Sequence, residues 1–195
     1  MILKDKINSI VEGIATSRAS DIVKKIQPLL QSDGKILDFG SGVGYIGYLI
    51  SQMTGHDIIY LDVKQYPFTH PKAKPLLYNG TSIPLNDKSC DTALIMFVLH
   101  HTKYPIEALK EVIRVTNRRI IICEDLLTSK RDVPIEVVKD IISNYFFTHI
   151  TFSYKTEAEW EAIFDTLQLK INKKIHFETN PLFFSMKHIA WQLQI

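Results

Sequence analysis

The sequence predicts an open, doubly wound α/β sheet of seven strands, mostly parallel, with an antiparallel hairpin at its C-terminal edge. Three observations carry the prediction. Short apolar runs alternate with helical patterns between residues 34 and 125. A glycine-rich segment, Gly40-Ser-Gly-Val-Gly44, follows the first of those runs directly. Two strand-like runs near the C-terminus, 170–177 and 183–194, are joined by residues 178–182 alone, too few for a helical crossover. Strands that alternate with helical crossovers pair in parallel with helices on both faces, because each right-handed crossover packs back onto the sheet.

In chain order, Ile7, Ile10, Val11 and Ile14 recur at helical spacing, and after Ser17-Arg-Ala-Ser20 the pattern resumes in Ile22, Val23, Ile26, Leu29 and Leu30. Two leading helices are expected. Asp33-Gly34 is a turn signal, 35–39 a strand, and Ile46, Leu49, Ile50 and Met53 a helical stripe. A second strand, 58–61, follows Gly55; prolines 67, 71 and 75 then exclude regular helix or central strand. Residues 76–78, 92–98 and 119–123 supply three more strands, with a helical stripe in Ile106, Leu109, Val112 and Ile113 before the last. Helices around 135–146 and 157–167 precede the hairpin. No repeat, low-complexity tract or linker interrupts the chain. One domain over 1–195 is expected, with leading helices in 1–33, a lid and helices in 126–168, and the edge hairpin in 169–195.

The 46% hydrophobic and 23% charged residues exclude a disordered, collagen-like or coiled-coil chain. Lys and Arg number 23 against 21 Asp and Glu, a net charge of +2 that advertises neither a nucleic-acid groove nor an anionic membrane as partner. Cys90 and Cys123 lie far apart, outside any metal-spaced cluster, and read as reduced thiols. The N-terminus has charges where a signal peptide needs an apolar run, and the longest strongly apolar stretch, 93–99, is far shorter than a membrane span. A cytoplasmic protein is expected.

Gly42-Val-Gly44-Tyr-Ile-Gly47 satisfies the dinucleotide pattern literally, with Asp62 20 residues beyond Gly42. The register argues otherwise: the preceding strand carries Asp38, and a carboxylate at this turn would repel a pyrophosphate. An acidic strand end wants a cation or a donor, while the glycines let a ligand approach the backbone closely.

Ile36-Leu-Asp38-Phe-Gly40-Ser41-Gly42-Val-Gly44, Asp62 in Tyr60-Leu-Asp-Val63, and the segment from Asn79-Gly80-Thr81-Ser-Ile-Pro84 to Asp91 stand in order and at compatible spacing. They are joined by Val98-Leu-His-His101 and Ala108-Leu-Lys-Glu-Val-Ile-Arg114-Val. Together they resemble the class I S-adenosylmethionine-dependent methyltransferases, in particular the methyltransferase type 11 group, over about residues 34–125. The resemblance implies a Rossmann-like sheet and S-adenosylmethionine as cofactor. It also implies cofactor contacts from Asp38, Gly40, Ser41, Gly42, Gly44, Val63, Gly80 and Thr81, with Asp62 accepting the ribose hydroxyls. Arg18 can reach the methionine carboxylate as a fork donor or make a surface salt bridge, and Phe97 with Met96 can wall the adenine or methionine chain or pack in the core. Asn79 stands where the family has an aspartate for the adenine amino group; its carbonyl oxygen can accept that bond without charge, or it can simply start the Asn-Gly turn. Thr116-Asn-Arg-Arg119 replaces the family's Lys-Pro-Gly-Gly, so the turn before the fifth strand must be tighter or differently built.

His100 and His101 follow the fourth strand and Asp125 the fifth, at the sheet edge where open α/β folds bind ligands, so all three are candidates for accepting a proton from the methyl acceptor. Each has a structural alternative: packing or capping for the histidines, helix-terminal electrostatics for Asp125. Met96-Phe97-Val98 offers no oxygen ligand where metal-dependent relatives bind Mg²⁺, and the Pro-Pro-Tyr and Pro-Cys motifs of nucleic-acid methyltransferases do not occur. The expected acceptor is therefore a small molecule, methylated on oxygen, nitrogen or carbon. The alternative is a cofactor-binding module with little catalysis of its own, acting with a protein partner.

Overall fold

The computed structural model describes residues 2–30, 34–143, 153–180 and 185–195. Seven strands, β1 (Ile36–Phe39), β2 (Ile58–Asp62), β3 (Leu76–Leu77), β4 (Cys90–Met96), β5 (Thr116–Asp125), β6 (Lys170–Thr179) and β7 (Met186–Gln194), form one sheet in the order β3-β2-β1-β4-β5-β7-β6. Pairing is parallel from β3 through β5 and antiparallel for β5–β7 and β7–β6. The predicted mixed sheet and its edge hairpin are both present. The order reverses between β1 and β4, so their C-terminal ends diverge and open a crevice at the switch point.

Alternation along the strands divides the core. Leu37, Phe39, Ala93, Ile95, Ile120 and Ile122 face a layer made by α3 (Pro105–Val115) and α5 (Glu157–Thr166), which contribute Leu109, Val112, Trp160 and Phe164. Ile36, Leu94, Met96, Ile121 and Cys123 face α1 (Ile2–Ile26) and α2 (Tyr45–Thr54), which contribute Ile22, Val23, Ile26 and Ile50. Central strands buried on both faces read as continuous apolar runs, which is why they were visible in the sequence.

The leading segment differs from the expected pair of helices. One helix runs from Ile2 to Ile26 and ends in a 3-10 turn over Gln27–Leu29, where Pro28 stops it. Ser17-Arg-Ala-Ser20 holds no glycine or proline; Ser costs only a few tenths of a kcal/mol in a helix, and burial of Ala19 against the sheet outweighs that. The helix expected around 135–146 is α4, Val133–Ser143, and its predicted residues past 143 lie outside the described ones, as do Phe183 and Phe184 of the predicted last strand. Before β5 the turn is tight: α3 ends at Val115, and the Thr116 N–H, donating to Val112 and Ile113 carbonyls, already begins the strand. No helix among the described residues is long and apolar enough to cross a membrane.

Candidate functional site

A cavity of about 440 Å³ lies at the C-terminal ends of β1, β2 and β4, beneath α1. Its floor is the loop from β1 to α2. Gly40 and Ser41 donate their N–H groups to the Leu61 carbonyl at 2.8 and 3.0 Å, which ties the loop to the end of β2. Gly40 has φ 70°, and an added Cβ would meet the Val98 methyls at 2.6 Å, so glycine is required there by both backbone and packing. Gly42 is different. Its φ is 55°, yet an added Cβ would meet nothing within 4 Å, and the residue lines the cavity. The left-handed φ already favours glycine there, and the open space in front of it leaves the cavity floor bare for a ligand.

Asp62 closes β2 and is buried, and it lines the same cavity. Its Oδ2 accepts the Gly42 N–H at 2.8 Å, and Oδ1 accepts those of Val63 at 2.7 Å and Lys64 at 3.3 Å. Burial raises its pKa, and those three bonds, with the Lys64 charge, pull back the other way. A carboxylate has about four acceptor positions, so with three taken the group retains one, on Oδ2, for a hydroxyl donor.

Of the residues singled out from the sequence, Gly40, Ser41, Gly42, Gly44, Asp62, Val63, Gly80, Phe97, Arg18 and His101 line the cavity together. Asp38, Asn79, Thr81, His100 and Asp125 do not. Asp38 lies on the α1–α2 face of β1, and a Cβ built on Gly47 of α2 would collide with its Oδ2. It faces the first turn of α2, outside the residues that line the cavity. Burial, with the Asp62 charge as second cause, pushes its pKa up to about 7. Asn79 is exposed and its Oδ1 already accepts from the Thr81 N–H at 2.9 Å, the Thr81 hydroxyl at 2.8 Å and the Ser82 N–H at 3.1 Å. This is the turn-forming alternative, and it occupies Thr81 as well.

His100 is buried, pairing through Nδ1 with Glu124 and stacking on Tyr154 with ring centroids 4.7 Å apart. Glu124 Oε1 also accepts the Val98 and Leu99 N–H groups at 3.2 and 2.8 Å, so one carboxylate holds the whole turn after β4. That turn presents His101 to the cavity, its ring centroid 4.0 Å from that of His100. Asp125 is buried in a different chain of contacts: its Oδ1 meets His188 Nδ1 at 2.9 Å, and His188 Nε2 meets the Thr179 hydroxyl at 2.7 Å. His188 stands edge-on to Phe97, centroids 4.9 Å apart, behind the cavity wall. Neither His100 nor Asp125 is placed to take a proton from a molecule in the cavity.

The sequence reading missed the aromatic wall: Tyr45, Tyr66, Phe68, Tyr78 and Tyr104, together with Lys103 and the α1 residues Val11 and Ala15. Tyr66-Pro-Phe68 is an apolar triplet in an otherwise polar, proline-rich stretch, and that mismatch was the available signal. The Glu111 and Arg114 motif residues serve elsewhere. Arg114 donates to the Ile83 and Leu85 carbonyls, both at 2.9 Å, and Glu111 accepts the Ile83 N–H at 2.8 Å, which clamps the segment that follows Gly80.

A parallel sheet with its crevice at the switch point, a glycine loop after β1 and an acid at the end of β2 defines a Rossmann-like ligand-binding domain. Residues 37–122 match the family model described as a methyltransferase domain. Among solved structures, a methyltransferase of Methanosarcina mazei superposes with TM-score 0.66 at 19% identity, covering 87% of this chain and 95% of that one. An S-adenosylmethionine-dependent methyltransferase of Archaeoglobus fulgidus gives 0.68 at 15%, covering 94% of each. A Haloferax volcanii putative methyltransferase, solved with the Trm112 methyltransferase activator, gives a match of TM-score 0.61 at 14%, covering 91% of this chain and 95% of that one. At these identities the structural likeness is one of fold. No curated protein matches the chain. The domain match and the shared fold support a class I S-adenosylmethionine-dependent methyltransferase, with S-adenosylmethionine as its cofactor.

Proposed function

We propose that the protein transfers the methyl group of S-adenosylmethionine to a nucleophile on a small molecule bound in the same cavity. The observation that carries the reading is the open, side-chain-free face at Gly42 beside the Asp62 carboxylate, inside a cavity long enough to continue past Phe97 to His101. The cofactor supplies a methyl group on a sulfonium, already activated for attack. What remains for the protein is to bind, orient and exclude water. Asp62 would accept a ribose hydroxyl at its remaining position, the Gly40–Gly44 backbone would lie along the ligand, and Arg18 would face a carboxylate. The methyltransferase-domain match over residues 37–122 counts against the dinucleotide alternative. His101, the one cavity-lining residue among the three candidates for proton acceptance, would receive the acceptor's proton where it has one to lose. Phe97 and Met96 wall the middle of the cavity and keep water out.

Titration calorimetry with S-adenosylmethionine and S-adenosylhomocysteine tests the binding half, and transfer of a labelled methyl group to a broad panel of small acceptors tests the chemistry. Micromolar binding with labelled product is expected; absence of binding refutes the reading. A second reading has one observation in its favour: Asn79, turned into its own loop, leaves the adenine amino group without the family's acidic partner. Weak turnover alone, rising on addition of an activator protein as the Haloferax complex suggests for its own methyltransferase, would favour it.

A further inference from the structure

We propose that the acceptor is a flat, largely apolar molecule carrying an acidic oxygen, and that this oxygen receives the methyl group. The inference rests on the methyltransferase reading and names the substrate class of the same cavity. Beyond the glycine loop the wall is made by Tyr66, Pro67, Phe68, Phe97 and Tyr104. Rings of this kind recognise a planar apolar body by buried area and by face and edge contacts.

The charges decide what polar group that body carries. Among the described lining residues Asp62 is the only carboxylate, and three backbone N–H groups already engage it at the cofactor end. An acceptor bearing an ammonium group would therefore enter without a counter-ion. Its other refuge would be a ring face. The chain fills two such faces with its own cations: Lys64 Nζ stands 4.6 Å from the Tyr66 ring centroid, and Lys103 Nζ 5.1 Å from that of Tyr104. An incoming ammonium would meet like charge at both rings, whereas an anionic oxygen would meet Lys103, the lining lysine that the cofactor reading leaves unassigned. In the transfer, an acceptor oxygen that arrives protonated gives its proton to His101, and the anionic oxygen attacks the methyl carbon. One O–C bond forms as one S–C bond breaks, and the broken bond's electron pair stays on sulfur.

The test is calorimetry on the full chain saturated with S-adenosylhomocysteine, using three probes of equal bulk: 2-naphthoate, 2-naphthol and 2-naphthylmethylammonium. A solvent-facing pairing with Lys103 of up to about 1 kcal/mol, and a like-charge repulsion of similar size for the ammonium probe, predict naphthoate binding about tenfold tighter than the ammonium probe, with naphthol between. Lys103→Gln should shrink that ratio to about twofold while S-adenosylhomocysteine affinity stays unchanged. Equal or tighter binding of the ammonium probe, a ratio insensitive to that variant, or no probe binding to the loaded protein would each overturn the inference. Failure of S-adenosylhomocysteine itself to bind would instead strike the methyltransferase reading beneath it.

Discussion

Replacing Asp38 by Asn should stabilise the protein at neutral pH, and the gain should grow with pH across the acid range. The side chain is 3% exposed, faces the first turn of α2, and has its pKa raised from 3.8 to about 7 by burial first and by the Asp62 charge second. A raised pKa means that between about pH 4 and 7 the folded chain holds a proton that the unfolded chain has released. Stability from this group is therefore complete below about pH 4, is lost as pH rises toward 7, and is constant beyond. Three units at about 1.4 kcal/mol each amount to about 4 kcal/mol between the two limits. An isosteric amide does not titrate. Its own burial costs about 1–3 kcal/mol, but that cost is the same at every pH and shifts the whole curve without changing its slope.

The assay is urea denaturation of the wild type and Asp38→Asn at half-unit intervals from pH 4 to 8, with the difference in unfolding free energy plotted against pH. Groups common to both proteins cancel. The difference should move in favour of Asn by about 4 kcal/mol between pH 4 and 8, about 8–16 °C in Tm for a chain of this size. A flat difference, or one that moves toward the wild type as pH rises, would refute the argument, because it would mean that Asp38 is ionised in the folded state and held by a partner.

Asp62→Ala removes the charged acceptor proposed for a ribose hydroxyl and the anchor of the Gly42 N–H, and calorimetry should show S-adenosylhomocysteine affinity lower by on the order of 100-fold. Gly42→Ala puts a methyl group on a backbone at φ 55° and into open cavity space, so thermal melts should show a loss of about 1–2 kcal/mol while calorimetry shows a larger proportional loss of cofactor affinity. Glu124→Ala strips one buried and one half-buried backbone N–H group and His100 of their common acceptor and should cost about 3–5 kcal/mol in urea denaturation. Glu124→Gln keeps one acceptor oxygen and should cost about half as much.

The sheet was legible because a strand buried on both faces admits only apolar residues, as Ala93 to Met96 and Ile120 to Cys123 show. The hairpin was legible from a length: five residues cannot carry a crossover. The glycine loop and Asp62 were legible because ligand approach limits the residue types. What the sequence did not carry was side-chain direction. Asn79 matched a binding position by spacing, but local hydrogen bonds to Thr81 and Ser82 took its oxygen first. Tyr66, Phe68 and Tyr104 sit in loops with no periodicity, so only the folded chain reveals that they share one wall. Ser17 to Ser20 resembled a break because small polar residues are common in turns, although none of them stops a helix when the next turns pack on a sheet.

Glu124 and Asp125 show why two adjacent acids at a ligand-binding edge need not serve the ligand. Successive side chains of a strand point to opposite faces. Glu124 follows Ile122 onto the α3–α5 face and meets His100 in the turn after β4; Asp125 follows Cys123 onto the α1–α2 face and meets His188, its partner directly across β7. Each buried carboxylate is matched by a histidine, which is how charge is accommodated where water is excluded. The two pairs then act on opposite sides of β4's C-terminal end. His100 packs against His101, and His188 packs against Phe97. The cavity thus receives one imidazole and one ring from this edge, each backed by a hydrogen-bonded pair that does not itself enter it. Rigidity at the site comes from behind the wall, and the acids contribute by fixing what lines the cavity.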